Sequence, residues 1–179
     1  MFGLIEMIIP YILKEFDGCI VEVGAGSSTA IFNKYAINFK RNFYSCDNRL
    51  KVGCTKKKSE WHKPMIMPSL EFIKIFDDKP LIVFLDGCHD YEVVRKEFHF
   101  FYERLEPGGV IFMHDTMPST ENHIYHGACS DAYKLRLELE KNPNVDMVTW
   151  SHKIINHGLS MVFKKHYVNG YYPPGEENK

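Results

Sequence analysis

Four ionisable side chains stand at the ends of two apolar runs in the second half of the chain. Asp86 and His89 follow the run PLIVFL, and His114 and Asp115 follow the run VIFM. If these runs are neighbouring parallel strands, the four side chains meet at one edge of a sheet, because parallel strands end together. A carboxylate or an imidazole there can remove a proton from a hydroxyl or an amine. We therefore predict catalytic roles for Asp86, His89 and Asp115.

The same groups also have the chemistry of a metal site. Two carboxylates and an imidazole, from Asp86, His114 and Asp115, could hold Mg²⁺ or another divalent cation and lower the pKa of a bound hydroxyl. Structural alternatives stay open beside these roles. Carboxylates at strand ends often cap the next helix, as we predict for Asp90, and His114 could be a hydrogen-bonded core histidine.

A second candidate site, a turn that contains two glycines, lies near the beginning of the chain. The segment VEVGAGSSTAIF, residues 21–32, has an apolar run with one acidic residue, two glycines one residue apart, and hydroxyls that open a helical pattern. This order predicts a strand, a tight turn and a helix. Gly24 and Gly26 let the backbone approach a ligand closely, and the free amides of the helix start face it. We predict a cofactor site at the carboxyl end of the first strand.

Two nucleotide motifs fit this turn poorly. A dinucleotide fingerprint requires a third glycine where Thr29 stands, and a phosphate-binding Walker loop requires a Gly-Lys-Ser/Thr ending. A carboxylate suited to a ribose does follow: Asp47 comes a little over twenty residues after Gly24, at the end of a predicted second strand. The alternative role of Asp47 is that of a turn residue.

Hydrophobic periodicity predicts alternating helices and strands around these motifs. Helices are predicted over residues 3–16, 28–35, 69–76, 91–105 and 128–141, and strands over 19–23, 42–46, 63–67, 80–86, 110–113, 145–150 and 159–163. Pro10 could bend or divide the first helix, and Ser69 is the predicted N-cap of the third. We expect one domain over residues 1–168, with helix 1–16 packing on it, and an irregular tail over residues 169–179.

Composition narrows the class of protein. The 179 residues are 45% hydrophobic and 25% charged with a net charge of −1, which argues against a general nucleic-acid binder and favours a small-molecule partner. No run is long and apolar enough for a membrane span, and the beginning lacks signal-peptide features. Five scattered cysteines without a CxxC pair indicate a reducing, cytoplasmic location. The basic stretch 49–63 is interpreted as a solvated loop, with an anion-attracting lip as the alternative.

Several of these motifs together resemble the class I S-adenosylmethionine (SAM)-dependent methyltransferases. They are, in chain order, Glu22-x-Gly24-x-Gly26-x-Ser28, Asp86-Gly87-x-His89-x-Tyr91-Glu92-x-Val94, Leu105-x-Pro107-Gly108-Gly109, His114-Asp115 and the strand-like GLSMVFK over residues 158–164. The order and content are similar to a branch of small-molecule O-methyltransferases that includes relatives with cephalosporin hydroxylase-type names. The resemblance covers roughly residues 19–165.

The resemblance implies an α/β fold, a Rossmann-like three-layer sandwich with a seven-stranded, mostly parallel sheet whose last strand is antiparallel. It implies SAM as the cofactor. The glycine turn would hold the methionine end, Asp47 the ribose, the segment after the third strand the adenine, and Asp86 would lie beside the methyl group. The residues implied are Glu22, Gly24, Ala25, Gly26, Ser27, Asp47, Pro68, Ser69, Leu70 and Asp86. Relatives that bind a divalent metal use acidic residues where this chain has His114-Asp115.

The expected function is transfer of a methyl group from SAM to an oxygen of a small molecule, with nitrogen as the second choice. Asp86 or His89 would act as the base, and Asp115 as its partner or as a metal ligand. Two alternatives stay open: a non-catalytic binding or scaffold module on the same fold, and a metal-dependent oxygenase or hydrolase that uses the same acidic cluster. A homo-oligomer is a further option.

Overall fold

The computed structural model of the protein describes residues 2–49, 57–125, 129–151, 153–155 and 157–164. Helices and strands alternate through most of the chain. In order they are α1 (Phe2–Glu15), β1 (Cys19–Val23), α2 (Ser28–Phe39), β2 (Phe43–Asp47), β3 (His62–Ile66), α3 (Ser69–Ile75), β4 (Pro80–Leu85), α4 (Tyr91–Arg104), β5 (Val110–His114), α5 (Glu121–Tyr125), α6 (Tyr133–Leu139), β6 (Asp146–Trp150) and β7 (Leu159–Phe163).

The seven strands form one sheet in the order β3-β2-β1-β4-β5-β7-β6. Strands β1 to β5 pair in parallel, whereas β7 runs antiparallel to both β5 and β6. The predicted seven-stranded, mostly parallel sheet with an antiparallel last strand is therefore confirmed. Strand order reverses between β1 and β4, and open α/β sheets bind their ligands in the crevice at such a reversal.

Apolar side chains on both faces of the sheet produce two cores. Along β1, Ile20 faces the core under α1 and α2, and Val21 faces the core under α3, α4 and α6. All six residues of β4, the central strand, are buried, which explains its unbroken apolar sequence. Helices on both faces make the three layers that the sequence predicts, and this arrangement leaves the carboxyl ends of the parallel strands available for a site.

Helix α1 is continuous although Pro10 lies inside it. A proline cannot donate a hydrogen bond to the carbonyl four residues earlier, which here belongs to Glu6. The Tyr35 hydroxyl of α2 donates to that carbonyl at 3.1 Å and so replaces the missing partner. The second helix also extends beyond its predicted end, to Phe39, and stops at Lys40, whose φ of 54° is left-handed.

Three further expectations about local structure are wrong. Ser69 is the first residue of α3 and not its N-cap, because Pro68 occupies that position without a side-chain cap. None of the predicted helices covers Glu121–Tyr125, which form α5. The helix predicted from residue 128 begins only at Tyr133, since Ser130 has a left-handed φ of 46° and the Asp131 carboxylate accepts a hydrogen bond from the Tyr91 amide. The predicted N-cap Asp90 is confirmed: it accepts from the Val93 amide at 3.1 Å.

The described cysteines Cys19, Cys46, Cys88 and Cys129 are free thiols. Cys19 and Cys46 are buried in strands as expected, whereas Cys88 is exposed. Within the described ranges, no helix is both long and apolar enough to cross a bilayer. The predicted domain boundary at residue 168, the tail after it and residues 50–56 of the basic stretch lie outside the described residues.

Candidate active site

An open cavity of about 210 Å³ lies at the carboxyl ends of β1, β2 and β4. These three strands flank the reversal of strand order, so the cavity occupies the position expected for a ligand in such a sheet. Its lining residues are Val23, Gly24, Cys46, Asp47, Asn48, Arg49, Ser69, Asp86, Gly87 and Cys88. The predicted convergence of the glycine turn, Asp47 and Asp86 on one hollow is therefore present.

Glycine is suited to the two positions of the first turn, Gly24 and Gly26, for different physical reasons. Gly24 has a φ of 94°, and a Cβ there would lie 2.1 Å from the Asp86 carbonyl oxygen, so only glycine lets β1 and β4 end side by side. At Gly26, a Cβ would meet no protein atom within 4 Å. Because no protein atom needs the space beside Gly26, the turn is suited to the close approach of a ligand.

A buried carboxylate holds this turn in place. Glu22 is fully buried, and its two carboxylate oxygens accept hydrogen bonds from the hydroxyls of Ser28 and Thr29, the latter at 2.7 Å. The Thr29 hydroxyl also accepts from the Gly26 amide at 3.0 Å. Burial raises the pKa of Glu22 to about 7, although the two hydroxyls work against that shift. Thus Thr29, which stands where a dinucleotide site has glycine, links the turn to β1.

Asp47 and Ser69 border the same cavity from the other side of β1. Asp47 is 8% exposed, and its Oδ1 accepts a hydrogen bond from the Arg49 amide at 2.8 Å. The turn role considered for Asp47 is thus present, and the carboxylate also faces the cavity. Ser69, the first residue of α3, also lines the cavity.

The four ionisable groups after β4 and β5 form one cluster, as predicted. His114 Nδ1 lies 3.1 Å from Asp86 Oδ1 and 3.1 Å from Asp115 Oδ1. His89 Nε2 lies 3.0 Å from Asp115 Oδ2 and 3.8 Å from Asp86 Oδ1. Oδ1 is the oxygen of Asp86 nearest to each of the two imidazoles. Asp86 also lines the cavity, so its carboxylate connects the cluster to the cavity.

Electrostatics in this cluster favour the charged forms of His114, His89 and Asp86, as the directions of their pKa shifts show. Burial disfavours the imidazolium of His114, but the hydrogen bonds to Asp115 and Asp86 outweigh it and raise the pKa to about 10. The pKa of His89 is also raised, by the Asp86 carboxylate and the nearby Asp115 against the effect of burial. Burial alone would raise the pKa of Asp86, yet the two imidazoles lower it.

The predicted metal ligands Asp86, His114 and Asp115 do come together, with one ligand atom of each within 4.8 Å of the others. Their chemistry fits Mg²⁺ poorly, because this ion prefers a nearly complete shell of oxygen ligands. The nitrogen of His114 that faces both carboxylates is engaged with them, and a protonated imidazole has no lone pair for a metal. The imidazolium already supplies a positive charge between the carboxylates. Metal ligation by these residues stays a prediction.

The other predicted cofactor residues lie around the cavity rather than in its lining. Ala25 is buried, Ser27 and Pro68 are exposed, and Leu70 is partly buried. Glu22 lies beneath the turn, where it supports the glycines. The lining residues that sequence reasoning did not assign to the site include Asn48, Gly87 and Cys88. Asn48 and Gly87 directly follow the predicted site residues Asp47 and Asp86, and Cys88 directly precedes His89, which is the signal that could have identified them.

A buried carboxylate that the motifs do not include lies behind Ser69. Glu97 of α4 is fully buried, and neither of its carboxylate oxygens has a hydrogen-bond partner within the described part of the chain. Burial raises its pKa to about 7, with the nearby Ser69 hydroxyl and His89 acting in the opposite direction. The helical spacing of apolar residues predicts which face of α4 is buried. It does not indicate that a carboxylate, that of Glu97, is buried among the apolar side chains on that face.

Comparison of the structure with solved structures supports the fold. The protein is similar to a Staphylococcus aureus protein assigned as a caffeoyl-CoA O-methyltransferase, with 14% identity, a TM-score of 0.66 and coverage of 90% of this chain and 81% of that one. It is similar to the S-adenosylhomocysteine (SAH)-bound methyltransferase PaMTH1 of Podospora anserina, with 16% identity, a TM-score of 0.65 and coverage of 89% and 76%.

A third similar structure is MycE, a methyltransferase from the mycinamycin biosynthetic pathway, in complex with Mg and SAH. The identity is 16% and the TM-score 0.62, and the alignment covers 97% of this chain but only 50% of MycE. The protein thus spans about half the length of MycE. At these identities the three likenesses show a shared fold.

The sequence comparison assigns the family. No curated protein matches the chain. A family model described as a methyltransferase domain matches residues 21–116, which is more than half of the 179 residues and includes the glycine turn, Asp47, Asp86 and Asp115. The resemblance to class I SAM-dependent methyltransferases is confirmed, and the chain belongs to this methyltransferase domain family.

Proposed function

We propose that the protein transfers a methyl group from SAM to an oxygen of a small-molecule acceptor, with nitrogen as the second choice. The observation that carries this proposal is the cavity at the β1/β4 reversal, lined by Gly24, Asp47 and Asp86 in a chain of the methyltransferase domain family. Two proteins of the same fold, PaMTH1 and MycE, are described with SAH bound.

The residues present fit such a cofactor. The open side of Gly26 admits the methionine end next to the free amides of α2, where Ala25 and Ser27 flank the turn. The Asp47 carboxylate suits the two ribose hydroxyls, and Pro68, Ser69 and Leu70 at the start of α3 would border the adenine. Glu22 supports this surface from below through Thr29. The cavity accommodates part of the ligand, and the remainder would lie over Gly26 and Ser27.

When bound, SAM supplies an electrophilic methyl group on a sulfonium, so the protein needs no covalent intermediate. The chain's own residues orient the acceptor and take its proton. The new bond joins the acceptor oxygen to the methyl carbon, the sulfur–carbon bond breaks, and the hydroxyl proton moves to a carboxylate of the site. A weak base suffices because the methylated oxygen is strongly acidic until it loses that proton.

Asp86 is the residue we assign as the base. It lines the cavity, and the imidazoles of the cluster lie nearest to its other oxygen, Oδ1, so we assign Oδ2 as the proton acceptor. His89, the other candidate, has a raised pKa and is therefore a poorer proton acceptor near neutral pH. His89, His114 and Asp115 would then act as positioning residues that keep Asp86 ionised and oriented.

The family match favours a methyltransferase over the oxygenase or hydrolase alternative. In a scaffold role the protein would keep this fold without transferring a methyl group. Only an activity measurement distinguishes that role from a methyltransferase. A cytoplasmic location and a homo-oligomer stay predictions from the sequence.

Isothermal titration of the purified protein with SAH tests the cofactor assignment, and we expect saturable binding with a Kd in the micromolar range. Incubation with a metabolite extract and methyl-labelled SAM, followed by mass spectrometry, tests transfer. Asp86→Asn should bind SAH within about tenfold of the unmodified protein but transfer methyl about 10²–10⁴-fold more slowly, because only the proton acceptor is lost.

Absence of any heat of SAH binding by folded protein would remove the cofactor assignment. Normal binding of SAH without a labelled product from broad extracts would favour the scaffold alternative. Unchanged transfer by Asp86→Asn would leave the methyltransferase assignment in place and move the base elsewhere in the cluster.

A further inference from the structure

A second group of possible metal ligands contains Asp115 and two residues that do not line the cavity, Cys129 and His157. One ligand atom each of Asp115, Cys129 and His157 lies within 4.8 Å of the other two. The three residues come from separate segments: the end of β5, the turn before α6 and the turn before β7. The motifs of the methyltransferase family match do not extend to Cys129 or His157, since that match ends at residue 116.

The chemistry of this group differs from that of Asp86, His114 and Asp115. A thiolate, an imidazole and a carboxylate are ligands that zinc accepts together, and the thiolate disfavours Mg²⁺ and Ca²⁺. One thiolate and one carboxylate also balance the two charges of Zn²⁺, so that the complex could be buried without a net charge. Asp115 and Cys129 are both buried, with exposed fractions of 5% and 0%.

An orphaned polar atom points to a ligand at the same place. In the described part of the chain, His157 Nδ1 is buried and has no hydrogen-bond partner. Buried polar atoms in folded proteins nearly always have partners, so an unpartnered atom calls for an explanation such as an ion.

The backbone around the group is held in place independently of any metal. The amides of Asp115 and Met117 donate to the carbonyls of Gly158 and His157, at 3.1 and 2.8 Å. The amide of Cys129 donates to the carbonyl of His123 at 2.9 Å, and the His123 ring packs edge-on against the His157 ring with 4.6 Å between centroids. The ligand side chains are therefore positioned before an ion arrives, which favours binding.

We propose that Asp115, Cys129 and His157 form a zinc site with a water molecule as its fourth ligand. The ion would tie the turns before α6 and β7 to the end of β5. Because Asp115 also contacts His89 and His114, the ion would fix the position of the carboxylate that the candidate active site shares. The role of the ion is to position Asp115, and the site adds to the proposed methyl transfer without depending on it.

Cobalt substitution tests this site in the full chain. Protein that has been reduced and treated with a chelator is titrated with Co²⁺, and the absorption is followed for the thiolate-to-cobalt charge-transfer band. We expect one equivalent of Co²⁺ to produce the band and Zn²⁺ to abolish it. Asp86, His114 and Asp115 contain no sulfur, so cobalt bound by those three residues alone would produce no such band.

Matched variants locate the ligands. Cys129→Ser and His157→Gln should weaken Zn²⁺ binding about 100-fold or more and remove or alter the band, because each deletes a direct ligand. Cys88→Ser, which removes an exposed thiol outside the group, and Asp86→Asn should keep the band. Circular dichroism confirms that each variant is folded, and the pair of Cys129 and His157 variants guards against the misfolding of one.

Three outcomes would overturn the proposal. They are a folded protein that binds neither Co²⁺ nor Zn²⁺ at micromolar concentration, bound Co²⁺ without the charge-transfer band, and a band that persists in Cys129→Ser or disappears in Cys88→Ser. None of these outcomes depends on SAM binding or methyl transfer, so a failure here is distinguishable from a failure of the proposed function.

Discussion

At the scale of single residues, the two glycines of the β1–α2 turn separate folding from ligand binding. Gly24→Ala should destabilise the protein by about 2 kcal/mol or more, because the new Cβ would lie 2.1 Å from the Asp86 carbonyl oxygen and φ is 94°. Gly26→Ala should fold with nearly unchanged stability, since its Cβ meets no protein atom, yet weaken SAH binding at least tenfold.

Urea denaturation and isothermal titration of the two variants measure these effects side by side. If Gly26→Ala binds SAH as tightly as the unmodified protein, the cofactor does not approach the backbone at this turn. A stable Gly24→Ala would instead show that the ends of β1 and β4 can separate without loss.

Glu97 is the residue whose ionisation should oppose folding most clearly. Burial raises its pKa from the ordinary 4.5 to about 7, so the native state holds the proton more tightly than the unfolded state. The free energy of unfolding must therefore fall as the pH rises from about 4.5 to about 7. The full loss, by the free-energy equivalent of the pKa shift, is about 3 kcal/mol.

Glu97→Gln removes this titration. We expect the variant to match the unmodified protein near pH 4.5 and to exceed its stability by up to about 3 kcal/mol at pH 8, as measured by chemical denaturation across the pH range. Glu92→Gln on the exposed side of the same helix is the matched control. If the difference in the free energy of unfolding between Glu97→Gln and the unmodified protein does not increase with pH, the folded protein does not disfavour the ionised form of Glu97.

At the scale of elements, two hydroxyls of α2 link it to β1, and that of Thr29 also holds the turn between them. Thr29 accepts from the Gly26 amide and donates to Glu22, so Thr29→Val leaves a buried carboxylate oxygen and a turn amide without this partner. We expect a loss of about 1–3 kcal/mol in the free energy of unfolding, together with weaker SAH binding because the turn is no longer held.

Thr29→Ser keeps the hydroxyl and is the control, with an expected loss of less than about 1 kcal/mol. Denaturation and titration with SAH measure both variants. Equal effects of serine and valine at this position would attribute the role of Thr29 to its methyl group and not to the hydrogen bonds.

At the scale of the whole molecule, the two cores share every central strand, because alternate residues of each strand face opposite sides. They should therefore unfold together. Ile9→Ala in the core under α1 and Leu135→Ala in the core under α6 should each lower the free energy of unfolding by about 2–5 kcal/mol.

Two probes test this cooperativity. Trp61 and Trp150 pack against the core that contains Ile9, so tryptophan fluorescence reports on that side, while far-ultraviolet circular dichroism reports on all helices. The two transitions should coincide in both variants. A fluorescence transition that precedes the loss of helix in Ile9→Ala would mean that the core under α1 melts by itself.

The sequence alone was sufficient to predict the succession of strands along the chain and the residues at their carboxyl ends. Short apolar runs that end in Gly24, Asp47 and Asp86 are local signals, and parallel pairing brings such tips together in any sheet of this class. The long amphipathic helices, such as α4 with its N-cap Asp90, were predictable for the same reason. Local order, hydrophobic period and turn chemistry act within a few residues and can be recognised without coordinates.

Only the tertiary structure decided which polar groups meet across long separations. The continuity of α1 through Pro10 depends on Tyr35, and the start of α6 on the contact of Asp131 with Tyr91, 40 residues away. Packing also accounts for three other features. They are the support of the turn by Glu22 through Thr29, the burial of Glu97 without a hydrogen-bond partner among the described residues, and the proximity of Asp115, Cys129 and His157. Hydrogen-bond satisfaction and burial are properties of the folded environment of a side chain, and its sequence neighbours do not specify them.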